Sequence, residues 1–242
     1  MYLSLIIPAF NEVTKITRDL EAASAFLNAL QHASELLVVD DGSWDETLQV
    51  VKDNYQKYQT DKVSIRPLHY PSNKGKGYAI RFGVRHAKGK IIAFADAGLC
   101  VPFSNLQKGI ELIEQGFDYA IASRRHSETK IQEEQPLYRQ LGSKGFWFIV
   151  KGVMGVDVTD SQCGFKVYWA HSAREIFSRV KTNGFMFDVE ALMIADKLGF
   201  QKAEFPVEWS NDADTRYHPV WGTVRNFTDL AKIRLRSFQK DS

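Results

Sequence analysis

Four short strand candidates, residues 3–7, 36–39, 63–68 and 91–95, alternate with three segments of helical periodicity, residues 12–30, 45–55 and 77–87. The first helical segment places Val13, Ile16, Leu20, Ala23, Phe26, Leu27 and Leu30 on one stripe. Most of the strand candidates are apolar on consecutive residues, so both of their faces are buried. Strands of that kind separated by helices predict an α/β fold with a parallel sheet covered on both sides.

In such a sheet the ligand lies outside the carboxyl ends of the strands. Those ends read Pro8-Ala9-Phe10-Asn11-Glu12, Asp40-Asp41-Gly42-Ser43, Asn73-Lys74-Gly75-Lys76-Gly77 and Asp96-Ala97-Gly98. Asp40 and Ser43 suit the capping of a turn and of the helix that follows. Asp41, at the same strand end, suits a hydrogen-bonded base as well as it suits that structural task. The 73–77 stretch lacks the GxxxxGK[ST] spacing, which argues against a P-loop ATPase. It leaves a glycine-flexible turn at a helix start, with Lys74, Lys76 and Arg81 either balancing a diphosphate or forming a solvated basic face.

After Ser123 the rhythm changes. Residues 126–135 are polar and aperiodic and are expected to form a mobile loop. A helix mixing aromatic and basic residues follows over 137–154. A strand is expected near 164–168, a helix over 188–198, a strand over 202–207 and a terminal helix from Val220. Asp188 and Glu190 open their helix, where acids are favourable whatever the function.

The chain has 242 residues, 44% of them hydrophobic, enough for a substantial core. A net charge of +2 without long like-charge blocks argues against a nucleic-acid partner. Cys100 and Cys163 form no CxxC pair and the six histidines show no ligand spacing, which argues against zinc or a disulfide framework and fits a reducing compartment. The first residues read as a strand rather than a signal peptide, and no apolar run reaches the roughly 18 residues of a membrane span. The sequon Asn226-Phe227-Thr228 therefore has no secretory context.

Taken in order, IIPAFNE, LLVVDDGSWDET, NKGKGYAIRFGV, FADAGLCVP and AIASRR resemble family 2 glycosyltransferases of the GT-A fold. DSQCGFKVY, FMFDVEALMIA and VEW resemble the branch that makes polyprenyl-phosphate sugars, most closely the dolichyl-phosphate glucosyltransferases. The resemblance implies a single GT-A domain over residues 1–242. Residues 1–123 would be the nucleotide-sugar half and 124–242 the acceptor half. It implies a cradle for base and ribose from Pro8, Phe10 and Glu12, a base contact from Asp41, and diphosphate contacts from Lys76 and Arg81. Asp96 falls on the first acid of the DxD signature, so it is the implied ligand of Mg2+ or Mn2+. Relatives read FTDADLSTP where this chain reads FADAGLCVP, so Gly98 stands in the second acid's place. One carboxylate weakens a site that otherwise completes its coordination with phosphate and water.

On the acceptor side the resemblance implies that Arg124 and Arg139 hold a lipid phosphate, with Asp160, Gln162 and Lys166 forming the adjoining wall. Arginine's planar fork suits that task. Asp188 orients donor or acceptor; with a hydroxyl acceptor it would instead be the general base. The donor expected is UDP-glucose and the acceptor polyprenyl phosphate. The rivals are a hydroxyl acceptor and a non-catalytic nucleotide-sugar binder. In the terminal helix Val224, Phe227, Leu230, Ala231, Leu235 and Phe238 can form an apolar face, and Arg225, Lys232, Arg234, Arg236 and Lys240 a basic one. Such a helix either closes the core or rests peripherally on the cytoplasmic face of a membrane.

Overall fold

The computed structural model describes residues 1–132, 137–210 and 219–239, with residues 137–144, 219–221 and 238–239 described as backbone only. In chain order the elements are β1 (Leu3–Ala9), α1 (Ile16–Ala29), β2 (Ser34–Asp40), α2 (Thr47–Tyr58), β3 (Val63–His69), α3 (Lys76–His86) and β4 (Ile91–Ala95). They continue with α4 (Leu106–Glu114), β5 (Tyr119–Ser123), β6 (Lys130–Ile131), α5 (Leu137–Met154), β7 (Phe165–Trp169) and α6 (Ala170–Arg179). The last are α7 (Phe187–Lys197), β8 (Lys202–Pro206), β9 (Glu208–Trp209) and α8 (Pro219–Gln239).

The central sheet has seven strands in the order β3-β2-β1-β4-β7-β5-β8. β1 runs parallel to both β2 and β4, and β2 parallel to β3. β7 is the exception, antiparallel to β4 and β5. Side chains alternate across the pleat. On β1, Leu3, Leu5 and Ile7 join one core cluster with α1, while Ile6 joins the other with α3. Both faces are thus covered, as the apolar runs require.

Strand order reverses at β1, whose neighbours β2 and β4 lie on opposite sides, so the ends of β1 and β4 flank a crevice. The segment after β1 does not continue directly into α1. Asn11 adopts φ +55°, and the backbone amides of Asn11 and Glu12 donate to Ser43 Oγ at 2.9 Å and Thr47 Oγ1 at 2.8 Å. The two strand-end loops therefore hold each other at the crevice.

The 126–135 segment, expected as a mobile loop, is in part a strand. β6 pairs in parallel with β9, and Thr129 Oγ1 donates to Ser123 O at 2.6 Å. Residues 133–136 lie outside the described set. Among the described residues no helix is long and apolar enough to cross a membrane.

Candidate active site

A cleft of about 410 Å3 opens at the carboxyl ends of β1, β2 and β4. Pro8, Phe10 and Glu12 line it from the end of β1, Asp41 from β2, and Asn73, Gly75 and Lys76 from the turn before α3. Asp96, Ala97 and Cys100 contribute from the end of β4, and Gly184, Phe185 and Arg225 complete the lining. Residues widely separated in sequence meet here because parallel strands deliver their ends to the same edge.

The paired acids after β2 divide their work. Asp40 accepts from His69 Nδ1 at 2.8 Å and receives the Ser43 amide at 3.4 Å, so it serves the turn. Asp41 faces the cleft, but its carboxylate already receives Tyr70 Oη at 2.8 Å, Asn73 Nδ2 at 3.0 Å and the amides of Lys74 at 2.7 Å and Gly75 at 2.9 Å. Burial raises its pKa against these donors. It fixes the shape of the 73–75 turn.

Lys76 and Arg81 part company. Lys76 Nζ lies 2.5 Å from Asp96 Oδ1, and although burial alone would lower the Lys76 pKa, Asp96 and then Asp188 raise it. Arg81 instead turns its guanidinium to Val180 O at 2.5 Å and to Asn183 Oδ1, where it braces the 180–183 loop and does not line the cleft.

Asp96 leaves the sheet with its amide bonded to Gly164 O at 3.0 Å. Gly164 is a glycine by necessity. A Cβ there would sit 2.1 Å from Asp96 Oδ2. The Asp96 side chain nevertheless keeps 44% of its surface exposed, so the carboxylate has an open face toward the cleft.

Gly98 adopts φ +99°, a region that side-chain-bearing residues rarely enter. Its amide donates to both carboxylate oxygens of Asp19, at 2.9 and 3.1 Å, and its carbonyl accepts from Arg18 at 3.0 Å. Asp19 sits on α1 with 0% exposure, and burial pushes its pKa up to about 7 despite the Gly98 hydrogen bond. This buried acid was not singled out from the sequence. Its only linear signal is an aspartate among the helical residues 16–29.

The acceptor-side candidates form a buried charge network. Arg124 donates to Asp160 through Nε at 2.6 Å and one terminal nitrogen at 2.9 Å. Burial alone would lower the Arg124 pKa, but Asp160, and more distantly Asp96, hold it above the usual arginine value. Burial pushes Asp160 upward, yet Arg124 outweighs it and holds the carboxyl at about 2. Lys166, expected at the acceptor wall, has 0% exposure. Its ammonium bonds Cys163 O at 2.7 Å and Asp188 Oδ1 at 2.6 Å, so it braces the wall from behind. Asp188 is buried with it, and burial raises its pKa while Lys166 and Lys76 oppose the rise. Gln162 lies on the same loop, its amide bonded to Asp160 and its buried Nε2 unbonded among the described residues. The Arg139 side chain lies outside the described residues. Burial pushes the Cys163 thiol up to about 12, which leaves it unreactive.

A nucleotide-type crevice at a sheet's switch point, one open carboxylate at its edge and a mostly parallel seven-strand sheet are the marks of a GT-A glycosyltransferase. The chain belongs to glycosyltransferase family 2, whose model, described as glycosyl transferase family 2, matches residues 4–177. The human dolichyl-phosphate beta-glucosyltransferase is 32% identical over 97% of this chain and 75% of its own length. The Saccharomyces cerevisiae enzyme of the same name is 31% identical over 97% of this chain and 75% of its own. Among solved structures, glucosyl-3-phosphoglycerate synthase from Mycobacterium tuberculosis, in complex with Mn2+, UDP-glucose and phosphoglyceric acid, superposes with a TM-score of 0.68. The two are 16% identical over 96% of this chain and 79% of that one. Mannosyl-3-phosphoglycerate synthase from Rubrobacter xylanophilus gives 0.69 at 16% identity, over 100% of this chain and 75% of its own.

Proposed function

We propose that the protein transfers glucose from UDP-glucose to dolichyl or a related polyprenyl phosphate, with inversion at the anomeric carbon. The observation that carries this reading is the likeness to dolichyl-phosphate glucosyltransferases across 97% of the chain. The nucleotide lies in the cleft at the ends of β1, β2 and β4, with Pro8, Phe10 and Glu12 against base and ribose. Asp41 acts by holding the 73–75 turn beside the base. Residues 1–123 serve the donor and 124–242 the acceptor.

Asp96 fits a divalent cation only in part. Among the described residues no three His, Cys, Asp or Glu side chains converge as a metal group. One open carboxylate with diphosphate oxygens and water is a workable arrangement for Mg2+ or Mn2+. A cation bound there neutralises charge on the departing diphosphate.

A phosphate monoester is largely dianionic at neutral pH and attacks without a general base. Its oxygen forms the new bond to the anomeric carbon as the bond to the diphosphate breaks. Asp188, buried against Lys166, is spent on a structural ion pair, which favours a phosphate over a hydroxyl acceptor. Arg124 meets the acceptor phosphate with the terminal nitrogen that Asp160 leaves free, joined by Arg139. The exposed Val224, Phe227 and Leu235 of α8 and Phe148 and Val153 of α5 supply peripheral contact with the membrane that carries the lipid, at its cytoplasmic face.

The test offers UDP-glucose with either a short polyprenyl phosphate or the corresponding polyprenol. Product is expected from the phosphate alone; product from the alcohol, or from neither, overturns the reading.

A further inference from the structure

Among the described residues two side-chain cations, Lys76 and Arg225, line the cleft. Lys76 is already matched by Asp96 at 2.5 Å. Arg225 stands differently: among the described residues its guanidinium has no hydrogen bond or ion pair, while its backbone carbonyl accepts from Thr228 Oγ1 at 2.7 Å. Read from the sequence it belongs to the basic face of a surface helix; it is exposed in the fold and also lines the cleft.

That position is built by a chain of contacts. Arg236, three turns further along α8, donates to Glu190 on α7 at 3.1 Å. Glu190 in turn accepts the amides of Lys181 and Thr182, at 3.0 and 2.7 Å. The same loop presents Asn183 O to the Gly77 amide at 2.8 Å, at the start of the helix that carries Lys76. Leu230 and Ile233 bury the intervening turns of α8 in the core. One loop therefore docks both the Lys76 turn and the helix bearing Arg225, and brings both cations to one cleft. Gly184 lets the helix come close: a Cβ there would lie 2.8 Å from Asp229 Oδ2 and 3.6 Å from Arg225 Nε.

Gly98 stands where the family signature would place a second acid, so among the described residues Asp96 alone offers a carboxylate there, and the diphosphate's developing charge is less fully met by metal. A guanidinium matches phosphate oxygens with paired donors and holds its charge at any working pH. We infer that Arg225 binds the diphosphate of the donor nucleotide and stabilises it as it leaves, sharing with Lys76 the charge that a two-carboxylate metal site would otherwise take. This assignment rests on the nucleotide-sugar reading above.

Calorimetry with UDP and with uridine, on the wild type, Arg225→Gln and Arg225→Lys, tests it. Loss of a charged hydrogen bond predicts a drop in UDP affinity of about ten- to a hundredfold for Arg225→Gln, with partial recovery in Arg225→Lys. Uridine affinity stays unchanged, because uridine carries no phosphate for the guanidinium to meet; that arm also reports whether the variant is folded. Lys232→Gln, an equal charge change elsewhere on α8, leaves UDP affinity at the wild-type value. Equal UDP affinity in wild type and Arg225→Gln overturns the assignment while leaving the nucleotide reading intact. Failure of the wild type to bind UDP at all overturns both.

Discussion

Asp19 is the residue whose role depends most on burial. It has 0% exposure, its pKa is pushed up to about 7, and it holds the Gly98 amide beneath the turn that carries Asp96. An acid whose folded pKa lies above its unfolded value binds more protons in the native state between the two. Its contribution to stability is therefore full below about pH 4 and declines as pH rises toward 7. Arg18, Lys15 and Glu12 face the same group and set where that window lies. Asp19→Asn removes this part of the slope, so the stability difference moves in the variant's favour by about 2 kcal/mol between pH 5 and pH 8. Urea unfolding at the two pH values measures it, and parallel profiles for the two proteins would refute it. Gly164→Ala tests the neighbouring contact. A Cβ at 2.1 Å from Asp96 Oδ2 must displace the carboxylate. Sugar transfer is expected to fall at least tenfold for about 1–3 kcal/mol of overpacking, and retention of full activity would mean that Asp96 tolerates displacement. Neither residue declares itself in the sequence. Asp96 did, because it ends an apolar strand; Asp19 and Gly164 matter through contacts made across the fold.

At the scale of elements, the first half was legible because each apolar run is local and each helix period is its own signal. The boundaries moved for physical reasons: α1 starts at Ile16 rather than residue 12 because the Glu12 and Val13 amides are held by Thr47 and Asp45 of the facing loop. The antiparallel insertion of β7 between β4 and β5, and the pairing of β6 with β9, are contacts between distant segments that no local pattern encodes. α8 was read with one continuous apolar face. It divides instead: Leu230 and Ile233 are buried, while Val224, Phe227, Ala231 and Leu235 are exposed and Arg236 turns inward to Glu190. Phe238 and Lys240 lie outside the side chains described. Glu190 ties α8, α7 and the 181–182 amides together. Glu190→Ala is expected to cost about 2–3 kcal/mol, because it leaves buried amides and an arginine without their acceptor. Denaturant titration reads that loss. The same variant raises the KM for the donor nucleotide more than it lowers kcat; an unchanged KM would detach the 181–185 loop from the donor cleft.

For the whole molecule, the cleft and Arg124, proposed above to hold the acceptor phosphate, share one network running from Asp160 and Arg124 past Asp96 and Lys76 to Asp188 and Lys166. The sequence placed these charges at strand and helix ends. The structure adds that two of them, Lys166 and Asp188, form a buried ion pair behind the cleft. The central claim, inverting transfer of glucose to a lipid phosphate, is tested most directly by the product itself. UDP-glucose and a short polyprenyl phosphate are incubated with the wild type and with Arg124→Ala, and the product is characterised by NMR. The account predicts a β-linked glucosyl phosphate lipid, with turnover at least a hundredfold lower in Arg124→Ala. An α-linked product, or no lipid-linked sugar with any common nucleotide sugar, would contradict it.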